Sequence, residues 1–97
     1  MAKANKKYIE ELELLLAKAT KDRRMFHALL TDLLTPAEFD ELSIRWQIIK
    51  MLANGSSHRE ITDELGVGLA TVARGSRTLL RPDGGFNQAF DKGFAHA

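Results

Sequence analysis

Apolar residues recur every three or four positions along most of the chain, and alternating β-branched runs are absent. That pattern predicts helices and no sheet. Tyr8, Leu12, Leu15 and Ala19, with Ile9 and Leu16 beside them, predict an amphipathic helix from about Asn5 to Thr20. Lys21 to Arg24 is polar and fits either a bend or a continuation. Met25, Phe26, Leu29, Leu30, Leu33 and Leu34 then mark a wide apolar face. Thr35-Pro36-Ala37-Glu38 is a strong helix start, with a capping hydroxyl, a proline at the first helical position and a glutamate that closes a capping box. The helix it opens is predicted to run to Ala53 and to stop at Asn54-Gly55. Phe39, Leu42, Trp46, Ile49 and Leu52 share one face, and Ile44, Ile48 and Met51 extend the apolar surface around the cylinder. A helix of that kind needs cover on several sides.

Ser57-His58-Arg59-Glu60 is a second capping box, and Gly66-Val67-Gly68 is a turn. Leu69, Val72 and Ala73 begin a further helix, predicted to reach about Leu80 before Arg81-Pro82-Asp83-Gly84-Gly85 breaks it. Phe86, Phe90 and Phe94 follow at spacings of four and predict one short apolar helix, weakened by Gly93. The organisation expected is one domain over 1–97, with N-terminal dimerisation helices over 1–34, a long core helix over 35–55, a helix-turn-helix over 57–81 and a short helix or tail over 82–97. A chain of 97 residues supplies little cover for such a long apolar helix, so an interlocked homodimer is expected.

Composition narrows the function classes. There is no cysteine, which excludes disulfides and thiolate metal sites. No apolar run reaches the ~18 residues of a membrane span, and the N-terminus has no apolar signal core, so a soluble cytoplasmic protein with no membrane partner is expected. The net charge of +1 says little, but its distribution says more. Arg74, Arg77 and Arg81 stand together with no acid between Leu65 and Leu80, and Lys3, Lys6 and Lys7 form a second basic cluster. His27, His58 and His96 lie far apart without metal-ligand spacing, and no serine has a base beside it in the pattern. The expectation is therefore a regulator and not an enzyme.

Two short helices, a glycine turn and an all-basic second helix are the layout of a helix-turn-helix DNA reader. Ile61, Leu65, Val67 and Val72 are spaced to pack the two helices together. Gly66 suits a turn that requires positive φ. Thr71, Ser76 and Arg77 then fall on the exposed side, where they can reach phosphates, and Arg59 can approach a guanine edge. The residues expected to face DNA are His58, Arg59 and Thr62 on the first helix, and Gly68, Leu69, Ala70, Thr71, Ala73, Ser76 and Arg77 on the turn and the second. The plainer reading of the same residues is a helical hairpin with a solvated basic face. On that reading the Phe86/Phe90/Phe94 stripe would be the working surface of a dimerisation or adaptor module.

The segment LLTPAEFDELSIRWQIIKML, then SHRE, then ELGVGLATVARGS resembles the tryptophan repressor family. The motifs are Leu34-Thr35-Pro36 with Glu38; Arg45; Ser57-x-Arg59-Glu60; Glu64-Leu65-Gly66-x-Gly68; and Ala70-Thr71-x-x-Arg74-Gly75-Ser76. The resemblance covers about half the chain, Leu33 to Leu80, and implies an all-α, intertwined helical homodimer that represses transcription when loaded with L-tryptophan. It implies that Arg45 of the long helix and Arg74 of the partner's recognition helix sandwich the indole, as a guanidinium stacks well on an aromatic face and pairs with a carboxylate. It further implies that the carbonyls of Leu33 and Leu34 with the Thr35 hydroxyl receive the ammonium group, and that Ile49 is an apolar wall. Gly75 would admit the ligand close to the backbone, and Thr78 would supply a hydroxyl. Without the resemblance, Arg45 reads as a surface charge and Arg74 as a phosphate contact.

Several positions depart from the family pattern. The stretch from Gly55 to Gly66 is one residue short, Thr62 stands where a lysine is frequent, Ala73 replaces a hydroxyl residue and Leu80 a basic one. The tail RPDGGFNQAFDKGFAHA is similar to that of an uncharacterised repressor-like branch. A regulator of the same fold that binds double-stranded DNA without responding to tryptophan is the alternative.

Overall fold

The computed structural model describes residues 2–97. Among them are six helices and no strand: α1 (Lys6–Ala19), α2 (Arg23–Leu33), α3 (Pro36–Ala53), α4 (His58–Leu65), α5 (Leu69–Leu79) and α6 (Gly85–Asp91). The all-α expectation holds, and most boundaries fall within a residue or two of those the sequence predicts. The chain divides into two compact units, one ending at Phe39 and one running from Asp40 to Ala97.

In the first unit α1 packs on α2. The polar stretch after Thr20 is a break and not a continuation, because the Asp22 carboxylate accepts the Met25 N–H at 3.2 Å and starts a new helix. Asn5 caps α1 in the same way, accepting from Tyr8 at 3.0 Å. Ala19 is buried, whereas Tyr8, Ile9, Leu12 and Leu15 on α1 remain 43–60% exposed. The Thr35 box forms as the sequence predicts. Thr35 Oγ1 accepts the Glu38 N–H at 3.2 Å, and Glu38 Oε1 accepts the Thr35 N–H at 2.8 Å.

The second unit is built around one contact among three helices. Ile48 of α3, Ile61 of α4 and Val72 of α5 are each at most 1% exposed and form its buried centre. Ile44, Met51, Leu52, Leu65 and Val67 close around them. The packing predicted for Ile61, Leu65, Val67 and Val72 is thus present, with α3 as a third partner. The turn between α4 and α5 begins at Gly66, whose φ of +66° is the left-handed conformation that a side chain disfavours.

The apolar stripe of the tail is divided by the structure. α6 ends at Asp91 and closes at Gly93, where the Gly93 N–H meets the Phe90 carbonyl and the Phe94 N–H meets the Ala89 carbonyl. Phe94 lies past that end and is 81% exposed. Phe86 and Phe90 instead pack on Trp46 of α3, with ring centroids 5.9 Å and 5.8 Å away. The spacing of four does not survive Gly93, so the three phenylalanines are not one face.

Gly75 sits where α5 passes closest to α3. A Cβ built there would stand 3.0 Å from Ile48 Cγ2, 3.3 Å from Leu52 Cδ1 and 3.5 Å from Ile49 Cδ1. Ile48 and Ile49 are buried and β-branched, so neither yields easily. Overpacking of this kind costs ~1–3 kcal/mol, against a gain of ~1 kcal/mol in helix propensity. Gly75→Ala is expected to lower stability by about 1 kcal/mol in urea denaturation. An unchanged or raised midpoint would show that α3 and α5 do not approach this closely.

Candidate nucleic-acid interface and effector cleft

Local capping sets the first half of the two-helix unit. Ser57 Oγ accepts the Glu60 N–H at 3.1 Å, and Glu60 Oε1 accepts the Ser57 N–H at 2.9 Å. Two free amides at the start of α4 are thereby satisfied. The Ser57 backbone N–H, and next the Ser57 side chain, hold the Glu60 carboxyl below its ordinary range. Arg59 is exposed one position before it, and His58 is half-buried. The Thr62 hydroxyl donates to the Arg59 carbonyl at 2.9 Å, so it is spent on its own helix.

Along the turn and α5, Gly68, Leu69, Ala70, Thr71, Arg74 and Arg77 are exposed. Leu69 presents an apolar side chain that is 62% exposed at the first turn of α5. Val72 and Gly75 are buried toward α3, and Ala73 and Ser76 are half-buried on the flanks. The exposed side expected for Thr71 and Arg77 is therefore there, and Ser76 sits at its edge.

Between α3, α5 and α6 lies an open cleft of about 720 Å³, within the ~300–1,000 Å³ typical of small-molecule sites. Arg45, Ile49, Arg74, Gly75 and Thr78, placed together by the family resemblance, all line it. Arg45 and Arg74 of one protomer face this cleft together, whereas the resemblance implies a pairing of Arg45 with the partner's Arg74. Gly68, Ala70, Thr71 and Arg77, expected to face DNA, line it as well, so the cleft opens onto the exposed face of α5. Thr78 donates its hydroxyl proton to the Arg74 carbonyl at 3.2 Å, which leaves oxygen lone pairs for a donor. The close approach of α3 already accounts for the glycine at 75, with or without a ligand. Leu33, Leu34 and Thr35 belong to the first unit, at the junction of α2 and α3, and the cleft is built from residues of the second. The Thr35 oxygen is engaged as the cap of α3.

The sequence reading missed four features of the cleft. Ile44 and Ile48, beside Ile49, also form its apolar floor. Asp40 and Glu41 bring carboxylates to the side that carries Arg45, and the spacing of four between Glu41 and Arg45 was the available signal. Val67 contributes from the turn. Phe86 closes one side, and no local pattern signals that, because it depends on α6 folding back. Among the described residues, Arg45, Arg74 and Arg77 are in no ion pair and no metal-ligand cluster exists.

The class of protein defined by this arrangement is an all-helical one, in which two short helices, the first of them capped, and a three-residue turn stand beside an arginine-lined cleft. The sequence matches the family model for Trp repressor protein over residues 9–93, and the chain belongs to that family. It is similar to the Trp operon repressor homolog of Vibrio campbellii, 42% identical over 65 residues, covering 66% of this chain and 65% of the relative. The homolog of Vibrio parahaemolyticus is likewise 42% identical over 65 residues, 66% and 63% of the two chains. That of Photobacterium profundum is 50% identical over 48 residues, 48% and 47% of the two chains. The match thus spans just under two thirds of the Vibrio relatives' length.

The capping carboxylate carries a pH dependence. Glu60 binds its proton less readily in the folded chain than in the unfolded one. Its contribution is therefore present above the ordinary glutamate range and is lost as pH falls through the lower folded value. Glu60→Gln keeps an acceptor for the Ser57 N–H but removes the titration. The wild type is expected to melt above the variant at pH 7, and the gap is expected to close as pH falls through and below the ordinary glutamate range. A gap that stays constant across that range would exclude the charged cap.

Proposed function

We propose that the chain is a sequence-specific DNA-binding transcriptional repressor of the Trp repressor family, with L-tryptophan as its corepressor. The observation that carries this reading is the shared surface of the cleft and α5. Arg74 and Arg77 belong to both, and Arg45 faces the same space from α3. In this reading α4 lies across the DNA backbone and α5 presents Leu69, Ala70 and Thr71 to the major groove. Arg59 and Arg77 reach phosphates or a base edge.

The residues present fit an amino-acid guest. Ile44, Ile48 and Ile49 give it an apolar floor, and the guanidiniums of Arg45 and Arg74 can stack on a planar ring or pair with a carboxylate. The ammonium group is assigned to the carbonyls of Leu33 and Leu34 and to Thr35, as the family resemblance implies. A homodimer is part of the proposal, supported by the apolar face that α1 leaves exposed. Two-fold symmetry then calls for a palindromic operator with half-sites about one helical turn apart. Among the described residues no helix is long and apolar enough to cross a membrane.

The adaptor reading loses its main support, since Phe86 and Phe90 are turned onto Trp46. A DNA-binding regulator that ignores tryptophan has one observation in its favour. Asn87 of α6 donates to the Leu79 and Arg81 carbonyls at 3.0 Å and 2.8 Å, so the end of α5 has support that needs no guest.

Titration calorimetry with L-tryptophan, followed by DNA-binding anisotropy over a range of salt, separates these readings. The proposal expects saturable tryptophan binding and DNA affinity that falls steeply with salt and rises with tryptophan. Arg74→Ala removes a charge-assisted contact worth ~1.5–3 kcal/mol, so tryptophan affinity should fall about 10- to 100-fold. Tryptophan-stimulated DNA binding that persists in that variant would refute the assignment of Arg74.

A further inference from the structure

Phe86 is in an unusual position for a residue of the tail. It lines the cleft between α3 and α5, and among the described residues it is the aromatic side chain that does so. Its ring lies nearly parallel to that of Trp46, with centroids 5.9 Å apart and planes 18° apart. Phe90 braces the same indole at 5.8 Å. The next residue, Asn87, fixes the start of α6 by donating to the carbonyls of Leu79 and Arg81. Gln88 adds a bond of 2.7 Å to the Asp83 carbonyl. The ring is thus held by a stack on one helix and by side-chain amides on the end of another.

We infer that Phe86 is a specificity-determining wall of the effector cleft, which selects a carboxylate-bearing guest with a flat aromatic body over an aliphatic guest of similar size. The inference rests on the proposed function of the cleft as an effector site. Arg45 and Arg74 supply charge for the carboxylate, and the isoleucine floor accepts any apolar body. A stacked guanidinium favours a ring over a saturated body, and Phe86→Leu leaves that stack in place, but the isoleucine floor does not distinguish the two. A phenyl ring does, because ring pairs gain an edge-or-offset interaction beyond their buried area. Asn87 acts through Phe86 as a positioning residue: it fixes where the wall stands without facing the guest.

The test compares L-tryptophan, L-phenylalanine and L-cyclohexylalanine by titration calorimetry on the full chain. The last two differ in aromaticity at nearly equal size. In the wild type, phenylalanine should bind more tightly than cyclohexylalanine. Phe86→Leu should reduce that ratio about three- to ten-fold, while Phe86→Tyr, which keeps the ring, should preserve it. Asn87→Ala should lower the same ratio in the same direction as Phe86→Leu and by a smaller factor, because it displaces the wall without removing the ring. As a check that needs no variant, the ring protons of Phe86 should shift in NMR spectra of the wild type on adding tryptophan, and far less on adding cyclohexylalanine. An unchanged ratio in Phe86→Leu, or ring protons indifferent to every guest that binds, would overturn the wall and leave the effector site standing. Wild-type protein that binds none of the three would overturn both.

Discussion

The placement of α5 depends on a side chain that is missing. Gly75 allows α5 to rest directly on Ile48, Leu52 and Ile49 of α3, and a single methyl group there would stand 3.0 Å from Ile48. Because Ile48 is also the α3 member of the Ile48–Ile61–Val72 contact, one close crossing fixes all three helices. The exposed face of α5 follows from it. Burying Val72 and Gly75 turns Thr71, Arg74 and Arg77 outward, since residues one or two positions away on a helix cannot share a face. Packing in the interior therefore decides which groups are offered to a partner at the surface.

α6 adds a second constraint from the opposite end. The last carbonyls of a helix lack intrahelical partners, and Asn87 donates to that of Leu79 as well as to the Arg81 carbonyl just beyond the helix. The same short helix lays Phe86 and Phe90 on Trp46. α5 is thus held near its middle by Gly75 against α3 and at its end by amides from α6. The cleft runs past both attachments, because Gly75 and Phe86 line it together with residues from Val67 to Thr78.

Much of this was legible from local pattern, because the determinants are local. Ser57 and Glu60, and Thr35 and Glu38, form their capping boxes within four residues, so their spacing is sufficient evidence. Gly66 announces its left-handed turn in the same way. Arg45, Ile49, Arg74, Gly75 and Thr78 came together through family resemblance and not through spacing, since more than twenty positions separate Ile49 from Arg74. Resemblance could not supply what is peculiar to this tail. The wall at Phe86 and the amide ties of Asn87 require α6 to fold back onto α3 and α5, which periodicity does not encode. Periodicity also misled at Phe94, because the pattern of four continues past a glycine whose φ of +72° ends the helix.

The overlap between cleft and reader face constrains how an effector can act under the proposed function. Arg74 and Arg77 line the cleft and also lie on the side offered to phosphates. A guest carboxylate paired with Arg74 locally offsets positive charge that would otherwise attract DNA, while the guest's ammonium group leaves the net charge unchanged, so charge supplies no gain in association. Any increase in DNA affinity must then come from conformation, through a guest that binds the docking-competent tilt of α5 better than others. The useful coupling is the difference between that gain and the charge offset, and such couplings are typically ~1–3 kcal/mol. The balance is sensitive to how free α5 is to tilt before the guest arrives. With Gly75 pressed on α3 and Asn87 holding the far end, much of that freedom is already removed. The tighter these two attachments, the smaller the share of DNA affinity left for an effector to control.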